Sequence, residues 1–216
     1  YTHVRMTDRA FELAWTHSQV VLYNLNIKDA EAQLYQRLAG SLVYMNPAFR
    51  ADSSIIKNNR KAQNGLWGYG ISGDVPLVIV RVSSAAGIEL ARQLILAHAY
   101  WRIKGLTVEL LILNEDNSIY RHPLQDEIMN IVSTGVDASQ LNTAGGIFIR
   151  PVEQIVSEDL VLLQSTAHMI FSDKAGTLQE QIDGNEMPVP NVPVPHHLPA
   201  SGDPGKIAVP SFDLLY

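Results

Sequence analysis

Residues 64–82 read NGLWGYGISGDVPLVIVRV, and how this stretch is parsed decides the fold. It contains Gly68-Tyr69-Gly70-Ile71-Ser72-Gly73, a G-x-G-x-x-G, followed by the apolar run Leu77 to Val82. A dinucleotide loop has a mechanical order: a strand, then the glycines, then a helix whose N-terminus faces the pyrophosphate. Here the order is reversed. Polar Lys57 to Asn64 precede the glycines and the strand follows them. Pro76 also pushes Val75 towards extended geometry, so no helix starts at that point. Two other glycine motifs fail as well. A nucleophile elbow needs Gly where Asp74 stands, and no Gly-Lys-Ser/Thr of a Walker loop follows. The remaining readings of glycines 65, 68, 70 and 73 are two. One is a tight loop where backbones approach and Trp67 and Tyr69 cover a core edge. The other is a loop that turns Trp67, Tyr69 and Asp74 towards a substrate, with the rings as flat surfaces for a sugar.

Downstream of this loop the pattern is α/β. Leu77 to Val82 is apolar throughout, as a strand buried on both faces of a parallel sheet would be. Ala85 to Lys104 predicts a long helix closed by Gly105. Thr107 to Leu113 predicts a second strand, Pro123 to Ser133 a helix with Pro in its first turn, and Gly146 to Ile149 a short third strand. Ser157 is placed to cap a last helix reaching about Phe171, with Gly176 beyond it. The expectation is a small parallel β-α-β-α-β-α unit with right-handed crossovers.

Upstream, Thr7 or Asp8 can cap a helix whose face carries Phe11, Ala14, Trp15, Ser18, Leu22 and Leu25. A second helix from near Asp29, with Tyr35, Leu38, Ala39 and Leu42 on its stripe, ends at Asn46-Pro47, and the two, joined by Asn26 to Lys28, are expected to form an antiparallel helical hairpin. Residues 48–63 are polar, with a short helix begun by Ser53 or Ser54. From Gly184 the chain turns proline-rich, with EMPVPNVPVPHHLPASGDPGK at 186–206 reading as an extended strap. The expected division is a helical linker at 1–47, a polar and glycine-aromatic loop at 48–74, an α/β unit at 75–183, and a strap at 184–216 leading to a following domain.

The totals exclude several function classes. The chain has 216 residues, is 46% apolar, and carries a formal net charge of −6. That composition affords a packed core. The charge argues against binding of a nucleic acid backbone. The absence of cysteine removes disulfides and thiolate metal sites. No apolar run approaches the roughly 20 residues of a membrane helix, and no signal peptide is visible, so no membrane contact by this segment is expected. Tyr1 in place of Met, and the apolar end KIAVPSFDLLY, give the chain the look of a piece of a larger polypeptide.

Ligands of open α/β sheets sit outside the carboxyl ends of the strands. The residues expected there are Arg81, Ser83 and Ser84, then Asn114, Glu115 and Asp116, then Arg150. Arg81, Glu115 and Asp116 would suit a nucleotide sugar, and the acid pair a metal; a solvated loop pair is the simpler reading. His98 reads as a structural histidine in a helix and His17 as an interface residue. His196 and His197, in the strap, lack further ligands for a metal. No set of residues forms a catalytic constellation.

Three strings resemble a known family: RAFELAWTHSQ at 9–19, GLWGYGISGDVPLVIVRV at 65–82, and AHAYWRIKGLTVELLILNED at 97–116. They resemble the C-terminal phosphorylase-like region of bacterial cyclic β-1,2-glucan synthases, in glycoside hydrolase family 94. The resemblance covers nearly the whole chain and is weakest at 176–205. It implies a helical linker between a preceding β-sandwich and a following (α/α)6 barrel, with the α/β unit as an insertion. It also implies inverting attack of inorganic phosphate on a β-glucoside, with one Asp as general acid. That Asp and the phosphate site belong to the barrel, so no catalytic residue carries over to this chain. On the resemblance, the chain is expected to be a non-catalytic structural segment that needs no cofactor of its own, inorganic phosphate being the co-substrate of the parent module. Its expected partners are the flanking domains and β-1,2-glucan, at the cytoplasmic face of the bacterial inner membrane. The alternatives are a glucan-binding accessory using Trp67 and Tyr69, and an independent nucleotide-sugar domain.

Overall fold

A computed structural model describes residues 2–116, 123–135 and 137–185, with side chains from residue 6 onward. The proline-rich strap, with His196 and His197, lies outside the described residues apart from its first two positions. The chain opens with α1 (Thr2–Leu25) and α2 (Asp29–Val43), joined by a short turn. No Gly or Pro interrupts residues 2–8, so α1 runs through Thr7 and Asp8, where a cap was expected. At the start of α2 the Lys28 N–H donates to the Glu31 carboxylate over 2.8 Å, the acidic half of a capping box. Next comes α3 (Ser53–Asn58), capped by Asp52, whose carboxylate accepts from the Ser54 N–H at 2.8 Å.

A 3-10 turn, Gln63–Tyr69, then carries the aromatic loop to β1 (Leu77–Val82). The α/β unit continues as α4 (Ile88–Ile103), β2 (Glu109–Asn114), α5 (Pro123–Thr134), β3 (Ile147–Pro151), α6 (Ser157–Thr166), β4 (Met169–Ser172) and α7 (Leu178–Gly184). All strand pairs are parallel and the sheet order is β3-β2-β1-β4. The architecture is the expected α/β one, a helical lead-in followed by a parallel sheet with helices between strands.

The fourth strand corrects the sequence reading. The helix from Ser157 does not reach Phe171; it stops at Thr166. Ala167 takes an extended conformation, φ −58° and ψ 134°, and Met169–Ser172 pairs with β1 from Val78 to Arg81. No glycine or proline marks the break. The segment becomes a strand because β1 offers it an unpaired edge, and backbone N–H and C=O groups at a buried edge must find partners. Ser157 is the first helical residue, and Val156 precedes it without a side-chain cap.

Strand side chains alternate between two cores. Val78, Val80, Val82, Leu110, Ile112, Ile147, Ile149, Met169 and Phe171 face a layer that includes residues of α2, α4, α5 and α7. Leu77, Ile79, Leu111, Leu113 and Phe148 face the other side, against Leu66, Ile71, Leu162 and Leu163. Both faces are therefore covered, which is why the strands read as unbroken apolar runs. Both α1 and α2 pack on α4. Val21, Leu22 and Leu25 of α1 reach the core, but Phe11 and Trp15, on the same stripe two to three turns earlier, are 72% and 68% exposed. The first half of α1 extends past the body it packs on.

Candidate functional site

The order β3-β2-β1-β4 creates a switch point. The connection from β1 leads to one neighbour, and the chain later returns to pair with the other edge of β1. The loops after β1 and β4 run side by side there and lead to α4 and α7 on the same core, at the carboxyl ends where open α/β sheets take ligands. The loop Ser83 to Gly87 leaves β1 and enters α4, so its amide groups face the position an anion would occupy. A carboxylate of the chain itself sits in that position. Asp173 Oδ2 accepts from the N–H of Ser83 at 2.7 Å and of Ser84 at 3.2 Å, and from the Ser83 hydroxyl at 2.9 Å. Gly87 permits the approach, since a Cβ there would lie 2.7 Å from Asp173 Oδ2.

The other residues expected at the carboxyl ends are similarly engaged. Glu115 accepts from Arg81 and, at 3.1 Å, from Lys174. Asn114 donates to Gln125 at 3.2 Å and accepts from the Asp116 N–H at 2.9 Å. Arg150 donates instead to Asn142 and to the carbonyl of Tyr69, each over 2.9 Å, and so belongs with the glycine loop. Thus Arg81 and Glu115 come together, Asp116 joins Asn114, and Arg150 is drawn elsewhere. A groove of about 260 Å³ remains beside them, lined by Ser83, Ser84, Asp116, Leu124 and Glu127 among others. A larger one, about 370 Å³, lies between α3 and α6, where Lys61 is already paired with Asp159 at 2.6 Å.

The glycine loop lies over the second core, towards the amino ends of the strands. Its anchor is Glu109, the fully buried first residue of β2. The Ser72 N–H donates to both Glu109 carboxylate oxygens, each at 3.1 Å, and Gly145 N–H approaches one of them at 3.5 Å. Gly70 takes φ +83°, and a Cβ on it would meet the Phe148 ring at 2.9 Å. A side chain is therefore excluded there on two counts. Leu66 and Ile71 are fully buried beneath the loop.

The two aromatic residues part company. Tyr69 is half-buried, packs against the second core, and donates its hydroxyl to Asp159 at 2.9 Å. Burial raises the Tyr69 pKa, and the bond to Asp159 adds to the rise. The hydrogen bonds from Lys61 and from Tyr69 in turn hold the Asp159 carboxyl below its ordinary value. Trp67 points outward and is 65% exposed, with its Nε1–H donating to the Ser72 carbonyl at 3.3 Å. Asp74 is exposed too, and its Oδ1 accepts from Gln63 Nε2 at 2.9 Å. Of the three residues expected to face a substrate, Trp67 and Asp74 share one surface through Gln63 and Ser72, and Tyr69 is committed to the core edge.

His98 is buried in α4, as a structural histidine would be. Its Nδ1 lies 2.7 Å from Asp137 Oδ2, and its Nε2 lies 3.0 Å and 3.1 Å from the carbonyls of Val108 and Gly145. His17 is exposed on α1. Among the described residues no group of three His, Cys, Asp or Glu is arranged to hold a metal ion, and no helix is long and apolar enough to cross a membrane. Sequence reading missed Glu109 and Asp173. Glu109 carried one signal, an acid opening an otherwise apolar strand. Asp173 carried none, because its role depends on the unrecognised β4.

No protein-family model matches the chain. It is 30% identical over 186 residues, 84% of its length, to the cyclic β-(1,2)-glucan synthase NdvB of Rhizobium meliloti (strain 1021). The chain spans only 6% of the length of that protein. The resemblance carried by the strings at 9–19, 65–82 and 97–116 is in this way matched by similarity along most of the sequence, and the chain is homologous to a short segment of a cyclic β-(1,2)-glucan synthase.

Proposed function

We propose that the chain is a non-catalytic structural segment of a protein that makes β-1,2-glucan, within its phosphorylase-like module. In this reading α1 and α2 are the linker between a β-sandwich and an (α/α)6 catalytic barrel, the α/β unit braces that linker, and the proline-rich strap leads on to the barrel. Inorganic phosphate is the co-substrate of the module, and the assembly works at the cytoplasmic face of the inner membrane. The observation that carries the reading is the exposed stretch of α1 from Met6 to His17. Met6, Phe11, Leu13 and Trp15 all lie on it with most of their surface in solvent. Apolar surface of that extent on one helix is what a neighbouring domain would cover. The filled switch point supports it too, since Asp173 occupies the place a ligand anion would take.

The test uses the isolated chain, shown to be folded by circular dichroism, with β-1,2-glucan and inorganic phosphate. Release of glucose 1-phosphate should not exceed that of a protein-free control. Phosphorolysis by this chain alone would overturn the proposal.

A further inference from the structure

The exposed indole of Trp67 differs in setting from the exposed rings of α1. Those rings share a helix with other exposed apolar side chains, the composition of a protein-docking face. Trp67 is edged by polar groups: Gln63, Asn64 and Asp74 are all exposed. Its ring is also fixed. The Nε1–H is bonded to the Ser72 carbonyl, the same carbonyl accepts from Gln63 Nε2 at 3.0 Å, and the Ser72 N–H is bonded to buried Glu109. Gln63 Nε2 reaches Asp74 Oδ1, and the Asp74 N–H donates to the Ser72 hydroxyl at 3.1 Å. One backbone residue thus positions an aromatic face, an amide and a carboxylate on a single surface.

We propose that Trp67, Gln63 and Asp74 form a surface subsite for a glucosyl unit of a β-1,2-linked glucan. The inference rests on the reading that the chain works inside a glucan-making protein. An indole face takes the C–H face of a pyranose, burying apolar surface against a polarisable ring. The carboxylate and the amide oxygen accept hydrogen bonds from sugar hydroxyls, both amide hydrogens of Gln63 being held by Ser72 and Asp74. The ligand is uncharged, which suits a chain of net charge −6, where a polyanion would be repelled. Pre-fixing the ring lowers the ordering cost of binding. The subsite holds a passing chain and performs no chemistry. Tyr69 is not part of it, because its hydroxyl is taken by Asp159.

Affinity electrophoresis of the 216-residue chain through gels containing β-1,2-glucan tests this, with a β-1,4-glucan gel as control. The wild type should be retarded by β-1,2-glucan. Trp67→Ala should weaken the retardation about 10-fold, equivalent to ~1.4 kcal/mol. Asp74→Ala should weaken it as well, and Trp15→Ala should leave it unchanged. Thermal unfolding confirms that each variant is folded; all three substituted side chains are exposed, so little stability is at stake. Passage of the wild type without retardation overturns the proposal, as does retardation that survives both Trp67→Ala and Asp74→Ala. These outcomes are separate from the phosphorolysis test. The subsite can fail while the chain still releases no glucose 1-phosphate, and phosphorolysis by the chain would overturn the structural reading whatever Trp67 binds.

Discussion

The Ser72 N–H and the Glu109 carboxylate are joined by two hydrogen bonds of 3.1 Å, inside a site where Glu109 is fully buried. This contact ties the glycine loop to the first residue of β2. Glu109→Leu should cost about 1–3 kcal/mol, because it leaves buried amide donors without acceptors. Urea unfolding measures the loss. Tryptophan emission should also change in the folded state, since Trp67 is bonded to the carbonyl of the same Ser72. Glu109→Gln keeps one acceptor oxygen and should cost less. Equal stability of wild type and Glu109→Leu would rule out this anchor.

Asp137 closes a second buried network. Burial alone would raise its pKa, but bonds from His98 and Arg102 outweigh that and hold it below the ordinary carboxylate value. A depressed folded pKa means stability that is present above about pH 3.9, the unfolded value, and lost as pH falls through the folded one. Asp137→Ala should cost about 3 kcal/mol at neutral pH, the low end for a broken buried pair, because Arg102 is partly exposed and can turn to water. The check is the urea midpoint of the variant at neutral pH. The wild type should also show a steep acid transition that Asp137→Asn makes shallower.

His168 gives the chain a pH dependence nearer neutrality. Burial lowers its pKa first, and the Arg50 guanidinium lowers it further. Its Nδ1 faces the Leu77 N–H at 3.4 Å, a contact only the neutral ring can accept. The unfolded chain therefore takes up this proton first. The contribution is complete above about pH 6.5 and is lost as pH falls through the folded value, which lies lower. Between pH 7.5 and pH 5 the urea midpoint of the wild type should drop further than that of His168→Gln. Parallel drops would remove His168 as the cause.

Much of the fold was legible because it rests on local chemistry. Leu77 to Val82 is apolar on both faces, so it had to be a covered, parallel strand. Asp74-Val75-Pro76 blocked a helix, so the glycines could not be a dinucleotide loop. The failures are of another kind. Met169 to Ser172 follows α6 with no turn residue between, and four apolar or small residues fit a helix or a strand equally well. What settles them is the free edge of β1, a tertiary fact. Asp173 inherits the same difficulty, as its carboxylate meets Ser83 and Ser84 only once β4 lies beside β1. Trp67 and Tyr69 are separated by one residue, and nothing local tells which ring turns inward. Asp159, 90 residues away from Tyr69, makes that choice.

The structural reading turns on α1, and one comparison tests it most directly. Phe11→Ser with Trp15→Ser should change the thermal stability of the isolated chain little, because both side chains are largely exposed there. On the proposed function, the same double substitution in the full-length protein should abolish or strongly reduce β-1,2-glucan synthesis and make the proposed phosphorylase-like module sensitive to limited proteolysis. Glucan synthesis at the unsubstituted rate, by a module as protease-resistant as before, would contradict the role assigned to this chain.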